Sequence, residues 1–129
     1  MARIRKVLRH VFHVRGLTRS FKLALIGIGY LFYYHRNMRM IFLAGITAAL
    51  FGIYFELRGI ELAVLCVIIT LVFMAEIFNT AIELVIDITC KKYHPLVKLV
   101  KDISAAVVLI ASLNAVTVGF ILFSKRIFH

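Results

Sequence analysis

Acidic residues, cysteines and prolines are scarce in this chain, and tryptophan is absent. The two cysteines, Cys66 within an apolar run and Cys90 in a basic stretch, suggest neither a disulfide framework nor a zinc site. The single proline, Pro95, lies in a predicted loop before the last apolar run. Six acidic residues stand against 16 lysines and arginines, which gives an isoelectric point of about 10.1.

Hydrophobic residues make up 63% of the 129 residues, and the mean hydropathy is +0.99. Soluble domains are closer to about 45–50% apolar, so the composition predicts an integral membrane protein of one domain, 1–129. Most of the cations flank the apolar runs, as expected for loops on the cytoplasmic side of a membrane. No soluble basic module is visible, so nucleic-acid binding is not expected. Nor is a cleavable signal peptide, because no apolar region followed by small residues precedes the first span.

Three apolar runs predict transmembrane helices over 38–57, 62–82 and 103–124, in an all-α membrane fold. The preceding run, Phe21 to Tyr34, would extend only about 21 Å as a helix, short of the roughly 30 Å hydrocarbon core. We therefore expect 1–36 to form a basic surface segment and an amphipathic helix at the membrane interface.

The cations also predict the orientation. With three spans, thirteen of the 16 lie on one side, which the positive-inside rule makes cytoplasmic. The expected protein is a multi-pass protein of the cell inner membrane with a cytoplasmic N-terminus. Because three thin helices shield buried carboxylates poorly, we expect a homo-oligomer.

A polar stripe follows the uncharged run Leu62 to Ala75. At about 100° per residue, Glu76, Asn79, Glu83 and Asp87 fall in one sector of a helix. Ionisable residues inside a membrane are costly and usually functional. Such a cluster can bind a hard divalent cation, abstract a proton from a hydroxyl, or relay protons or ions.

Cations near the stripe favour a metal-bound phosphate ligand among these possibilities. Lys101 lies at the start of the third span, and further basic residues lie in the loop before it. No glycine-rich phosphate loop and no protein-kinase signature is present, so a nucleotide site here would be of another kind. The small residues of the third span, including Ser104 and Ala105, are read as contacts for close helix packing.

The motif E-I-F-N-T-A-I-E at Glu76 to Glu83, the later Asp87, Y-H-P-L from Tyr93, and K-D-x-S-A-A from Lys101 resemble one family. This is the small prokaryotic diacylglycerol kinase and undecaprenol kinase family. The resemblance extends over residues 20 to 124. It implies an ATP-dependent lipid kinase acting on a lipid alcohol, with three transmembrane helices and a surface helix per chain, assembled as a homotrimer.

The resemblance also implies roles for individual residues. Glu76 is similar to the general base for the lipid hydroxyl, and Asn79 to a residue that positions the reacting groups. Glu83 is similar to a ligand of Mg²⁺ at the ATP phosphates. Arg15 or Arg19 corresponds to an N-terminal cation at the nucleotide. The remaining expected nucleotide contacts are Lys92, Tyr93, His94, Lys101 and Asp102.

One position departs from the family pattern. Many members read E-R-N-F-x-x-H before the first span, and that glutamate is the second metal ligand; here the segment begins with His35. Imidazole is a poorer magnesium ligand than carboxylate and prefers softer metals. Three readings stay open: magnesium held by Glu83, water and phosphate, a shifted metal preference with His35 as a ligand, or weakened transfer. The His35 replacement raises one rival function, a catalytically impaired kinase-like protein acting in lipid binding or assembly. A second rival, a small ion or proton conductor, would use the carboxylates of the stripe.

Overall fold

The structure, a computed structural model, describes residues 14–129 and is entirely helical apart from short connections. Four helices follow one another: α1 (Val14–Tyr34), α2 (Arg36–Tyr54), α3 (Ile60–Thr89) and α4 (Pro95–Ile127). The chain divides into two units, one ending at Arg36 and the other running from Asn37 to His129. The predicted basic segment before residue 14, and the side chain of Arg15, lie outside the described part of the chain.

Within residues 14–129, three helices are long and apolar enough to cross a membrane, namely α2, α3 and α4. This confirms the all-helical class and the expected number of long apolar helices. Helix α1 has 21 residues and so extends the predicted interfacial helix toward the N-terminus. Its placement at a membrane surface stays a prediction.

The helices do not end where the predicted spans do. Helix α3 has 30 residues and α4 has 33, so at 1.5 Å per residue they reach about 45 and 50 Å. Each is longer than the roughly 30 Å hydrocarbon core. Glu83, Asp87, Lys101 and Asp102 therefore stand on regular helix, and the connection between α3 and α4 is only 90–94.

Both connections in the second unit have clear local causes. After α2, the amide of Leu57 donates to the Gly52 carbonyl at 2.9 Å and that of Glu56 to the Ile53 carbonyl at 3.1 Å. With Glu56 at φ 54°, this is a Schellman ending with a left-handed residue after the helix. Before α4, the His94 Nδ1 accepts from the amide of Leu96 at 3.2 Å. Pro95 follows as the first helical residue, where its missing N–H costs nothing.

Helices α3 and α4 form the main antiparallel pair, and α2 packs onto α3 through glycines. A Cβ at Gly52 would lie 2.7 Å from Leu65 Cδ2, and one at Gly45 would lie 3.1 Å from Ile69 Cγ2. Small residues let helix backbones approach closely in lipid. The buried core beside Gly52 consists of Leu57, Leu65 and Leu122.

We expect Gly52→Val to destabilise the protein, because the added methyl groups would displace Leu65 from this contact. Overpacking of this kind costs about 1–3 kcal/mol, measurable as a lower free energy of unfolding in detergent micelles. The matched control is Gly119→Val on α4, where a Cβ meets no heavy atom within 4 Å. Equal losses from the two substitutions would contradict the packing argument.

Candidate active site

Glu76 is the most unusual polar residue of the second unit. It lies in α3 directly after the uncharged run from Leu62 to Ala75, yet only 3% of the residue is exposed. Asn37, in the first turn of α2, donates from Nδ2 to Glu76 Oε1 at 2.6 Å. The other carboxyl oxygen, Oε2, is buried and has no hydrogen-bond partner within residues 14–129. Its environment is protein rather than lipid.

A buried polar atom without a partner requires an explanation, since nearly all such atoms in folded proteins are bonded. Leaving one unsatisfied costs about 1–3 kcal/mol. In Glu76 the bonded oxygen fixes the orientation of the carboxyl group and leaves Oε2 as an acceptor. An unpaired carboxyl oxygen can accept a proton from a hydroxyl group that reaches it, which for the buried Oε2 requires neighbouring side chains to move.

A second polar group lies one turn further along α3, facing α4. Asn79 Nδ2 lies 3.5 Å from Glu83 Oε1, at the limit of a hydrogen bond. The Ser104 hydroxyl lies 2.8 Å from Asn79 Oδ1 and 2.9 Å from the carbonyl oxygen of Lys101. Ser104 is itself buried. Asn79 is thereby fixed between α4 and the carboxylate of Glu83.

Two ion pairs border this group toward the α3–α4 connection. Lys101 Nζ donates to Asp87 Oδ1 at 2.7 Å, and Lys98 Nζ donates to Asp102 Oδ2 at 2.6 Å. Lys101 and Asp102, expected together at a nucleotide, therefore each have another partner. Lys101 is partly exposed and the other three side chains are exposed, so solvent screens both pairs. The four side chains remain accessible to a charged ligand.

The stripe predicted along α3 does lie near neighbouring helices, but it divides between them. Glu76 is bonded to α2 through Asn37. Asn79 and Asp87 are bonded to α4, through Ser104 and Lys101. One face of α3 thus contacts α2 at Glu76 and α4 at Asn79 and Asp87.

The predicted nucleotide residues of the connection are Lys92, Tyr93 and His94, and all three are exposed. His94 has the additional role of capping α4. Arg19 is exposed on α1 and belongs to the first unit. His35 follows α1 in the same unit, with its ring 6.0 Å from that of Tyr30.

No group of three or more His, Cys, Asp or Glu side chains in residues 14–129 forms a ready metal site. Mg²⁺ does not require one, because it usually keeps several waters and binds one or two carboxylates together with substrate phosphates. The half-buried Glu83 carboxylate supplies a hard oxygen donor of that kind. The donor set therefore fits a magnesium ion that arrives with a phosphate ligand.

Two residues of the site were missed as functional candidates. In the sequence, Asn37 is only part of the segment that begins with His35, and Ser104 indicates only a packing contact. Asn37 lies 39 residues from its partner Glu76, and Ser104 lies 25 residues from Asn79. The only signal in the sequence was that each lies inside a stretch shared with the family pattern.

Comparison with known proteins places these residues in context. The family model described as prokaryotic diacylglycerol kinase matches residues 22–123. A diacylglycerol kinase of Synechocystis sp. is 39% identical over 105 residues, which cover 81% of this chain and 60% of that relative. An undecaprenol kinase of Bacillus subtilis (strain 168) is 30% identical over 92 residues, covering 71% of this chain and 75% of that relative.

The chain thus spans about 60% of the length of the Synechocystis relative. The matched region of the family model contains every polar residue described above from Asn37 to Ser104. The resemblance noted in the sequence is confirmed, and the chain belongs to the prokaryotic diacylglycerol kinase family.

Proposed function

We propose that this protein transfers the γ-phosphate of ATP to a lipid alcohol, undecaprenol or diacylglycerol, at the cytoplasmic face of the inner membrane. The names of the two relatives support the substrate class. The observation that carries the proposal is the buried Glu76 carboxyl, with one oxygen bonded to Asn37 and the other without a hydrogen-bond partner within residues 14–129.

Glu76 is the general base in this proposal. Its Oε2 takes the proton of the lipid hydroxyl while the hydroxyl oxygen forms a bond to the γ-phosphorus of ATP. The bond from that phosphorus to the bridging oxygen breaks, and ADP leaves with the electron pair. Glu76 lies about six residues, or 9 Å, before the end of the predicted span at residue 82. A membrane lipid can present its hydroxyl at that depth.

The remaining polar residues hold and orient the phosphates. Glu83 would bind Mg²⁺, which supplies charge neutralisation when bound with the nucleotide. Asn79, bonded to Ser104, lies 3.5 Å from the Glu83 carboxylate and orients it only weakly. The proposed nucleotide contacts are Arg19, Lys92, Tyr93, His94, Lys101 and Asp102.

The proposed topology has the N-terminus and the α3–α4 connection in the cytoplasm, following the distribution of cations. The proposed assembly is a homotrimer. Most side chains of α2, α3 and α4 are exposed in the single chain, including large apolar ones. Those surfaces are available to lipid and to neighbouring copies.

The direct test is phosphorylation of undecaprenol and of diacylglycerol by the purified protein with labelled ATP. Each lipid is assayed with magnesium, manganese or zinc in turn. ATP-dependent formation of a lipid phosphate supports the proposal. Failure on both lipids with all three metals would contradict it, and ion flux through vesicles without ATP would favour a conductor.

The rival function is a kinase-like protein of impaired activity, and His35 at the position of the family's metal-binding glutamate is the reason to consider it. We expect His35→Glu to raise the magnesium-dependent rate if a lost carboxylate limits transfer. The measurement is kcat against Mg²⁺ concentration, with Arg36→Gln as the neighbouring control. If the unsubstituted protein is active and His35→Glu leaves its rate unchanged, the hypothesis of an impaired kinase is excluded.

A further inference from the structure

The far end of the second unit, away from Glu83 and Lys101, contains a polar cavity that the proposed reaction does not use. Helices α2 and α4 both end there, because α3 runs antiparallel to each. The cavity has a volume of about 560 Å³. Its lining residues are Tyr54, Phe55, Glu56, Lys125, Arg126 and His129.

An apolar groove meets this cavity along the outer face of α2. Its volume is about 390 Å³, and it is lined by Thr47, Leu50, Phe51 and Tyr54. These positions follow the i, i+3, i+4, i+7 spacing of one helical face. Tyr54 lines both spaces, so the polar cavity and the apolar groove adjoin each other at that residue.

The side chains at this end carry one more positive than negative charge. Glu56 pairs with Arg58 at 3.5 Å, and Glu61 pairs with Arg126 at 2.9 Å. Lys125 has no ion-pair partner in the described part of the chain. The cavity therefore presents an ammonium group without an ion-pair partner, beside a guanidinium group that uses only some of its donors.

The depth of the cavity agrees with that of lipid headgroups. It begins where two charge-free runs end, Met40 to Phe55 and Ile103 to Ser124. Aromatic residues such as Tyr54 are common at the boundary between headgroups and hydrocarbon. Cations in the last turn of α4 also favour the negative end of the helix dipole. The helix dipole accounts for the cations at the end of α4, but it does not account for the cavity or for the groove below it.

We propose that this site binds one anionic membrane phospholipid, with its headgroup phosphate at Lys125 and Arg126 and an acyl chain in the groove along α2. The polar cavity above the apolar groove matches an amphiphile rather than a soluble anion. The lipid bridges the ends of α2 and α4. It lies at the opposite end of the helices from the proposed active site, so it is not the substrate, and the inference does not depend on the kinase activity.

The experiment is native mass spectrometry of the purified, delipidated protein titrated with phosphatidylglycerol or phosphatidylcholine of identical acyl chains. We expect one phosphatidylglycerol per protomer to bind more tightly than phosphatidylcholine. Lys125→Ala should weaken phosphatidylglycerol binding about fivefold, the effect of about 1 kcal/mol per cation at a membrane surface. Thr47→Phe should weaken both lipids by filling the groove, whereas Lys91→Ala, at the other end of the helices, should change neither.

Equal binding of the two lipids, or an unchanged affinity in Lys125→Ala, would overturn the headgroup assignment. Binding of glycerol phosphate as tightly as the whole lipid would overturn the role of the groove. Circular dichroism of each variant checks folding, and Lys125→Gln replaces Lys125→Ala if the latter does not fold. Weaker binding of phosphatidylglycerol by a folded Lys91→Ala variant would indicate a general effect of charge and would also overturn the site.

Discussion

Replacing Glu76 by glutamine should lower kcat for lipid phosphorylation by about 10²–10⁴-fold, the usual contribution of a general base. The amide is nearly the same size as the carboxyl and retains an oxygen that can accept from Asn37 Nδ2. What it loses is the ability to take a proton. KM for the lipid should change little, because the amide occupies nearly the same space as the carboxyl. The measurement is steady-state phosphorylation of the preferred lipid in mixed micelles.

Asn37→Ala separates the orientation of Glu76 from its basicity. That substitution keeps the carboxyl group but removes the 2.6 Å bond to Oε1, so neither oxygen then has a hydrogen-bond partner. The unfolding free energy should fall by about 1–3 kcal/mol, and the rate should fall by less than in Glu76→Gln. If Glu76→Gln retains full turnover while eluting at the parent's size, Glu76 is not the base.

Much of the site follows from helical spacing alone. The sequence placed Glu76, Asn79 and Glu83 on one face of a helix, and the structure has them on one regular helix, α3. It also placed Lys101 near this face, and Lys101 does pair with Asp87. These relations depend only on 3.6 residues per turn and on a short antiparallel connection.

Other relations depend on how helices pack, which the sequence does not specify. The bond from Asn37 to Glu76 requires the register between α2 and α3, and that register depends on close contacts at Gly45 and Gly52. Lys101 and Asp102 looked like a pair because they are adjacent. Neighbours in a helix point about 100° apart, so each instead bonds a residue on its own side.

The predicted helix ends also show the limit of hydropathy. Charges at Glu83 and Lys101 end the apolar runs, and the predicted spans stopped near them. Backbone hydrogen bonding does not end there, because glutamate and lysine are good helix formers. Helices α3 and α4 therefore continue past the predicted spans and carry the charged residues on a rigid support.

Glu83 is the second residue whose replacement should strongly lower the rate of phosphoryl transfer, because regular helix holds its carboxylate in place. Glu83→Gln removes the half-buried carboxylate proposed to bind Mg²⁺ but keeps an amide within reach of Asn79. Magnesium binds neutral amides more weakly than carboxylates, and loss of one stabilising group at a reacting phosphate typically costs about 10²–10³-fold in rate. We expect the rate at low Mg²⁺ to fall by that amount and to recover partly at high Mg²⁺.

Asp87→Asn is the matched control, because Asp87 stands one turn further along α3 and its carboxylate is already bonded to Lys101. If Glu83 is the metal ligand, the Mg²⁺ concentration for half-maximal rate should rise strongly in Glu83→Gln and little in Asp87→Asn. Direct titration with Mn²⁺, followed by its paramagnetic signal in the presence of a non-hydrolysable ATP analogue, separates binding from turnover. A reversed order of the two variants would assign the metal to Asp87 and move the phosphates one turn toward the α3–α4 connection.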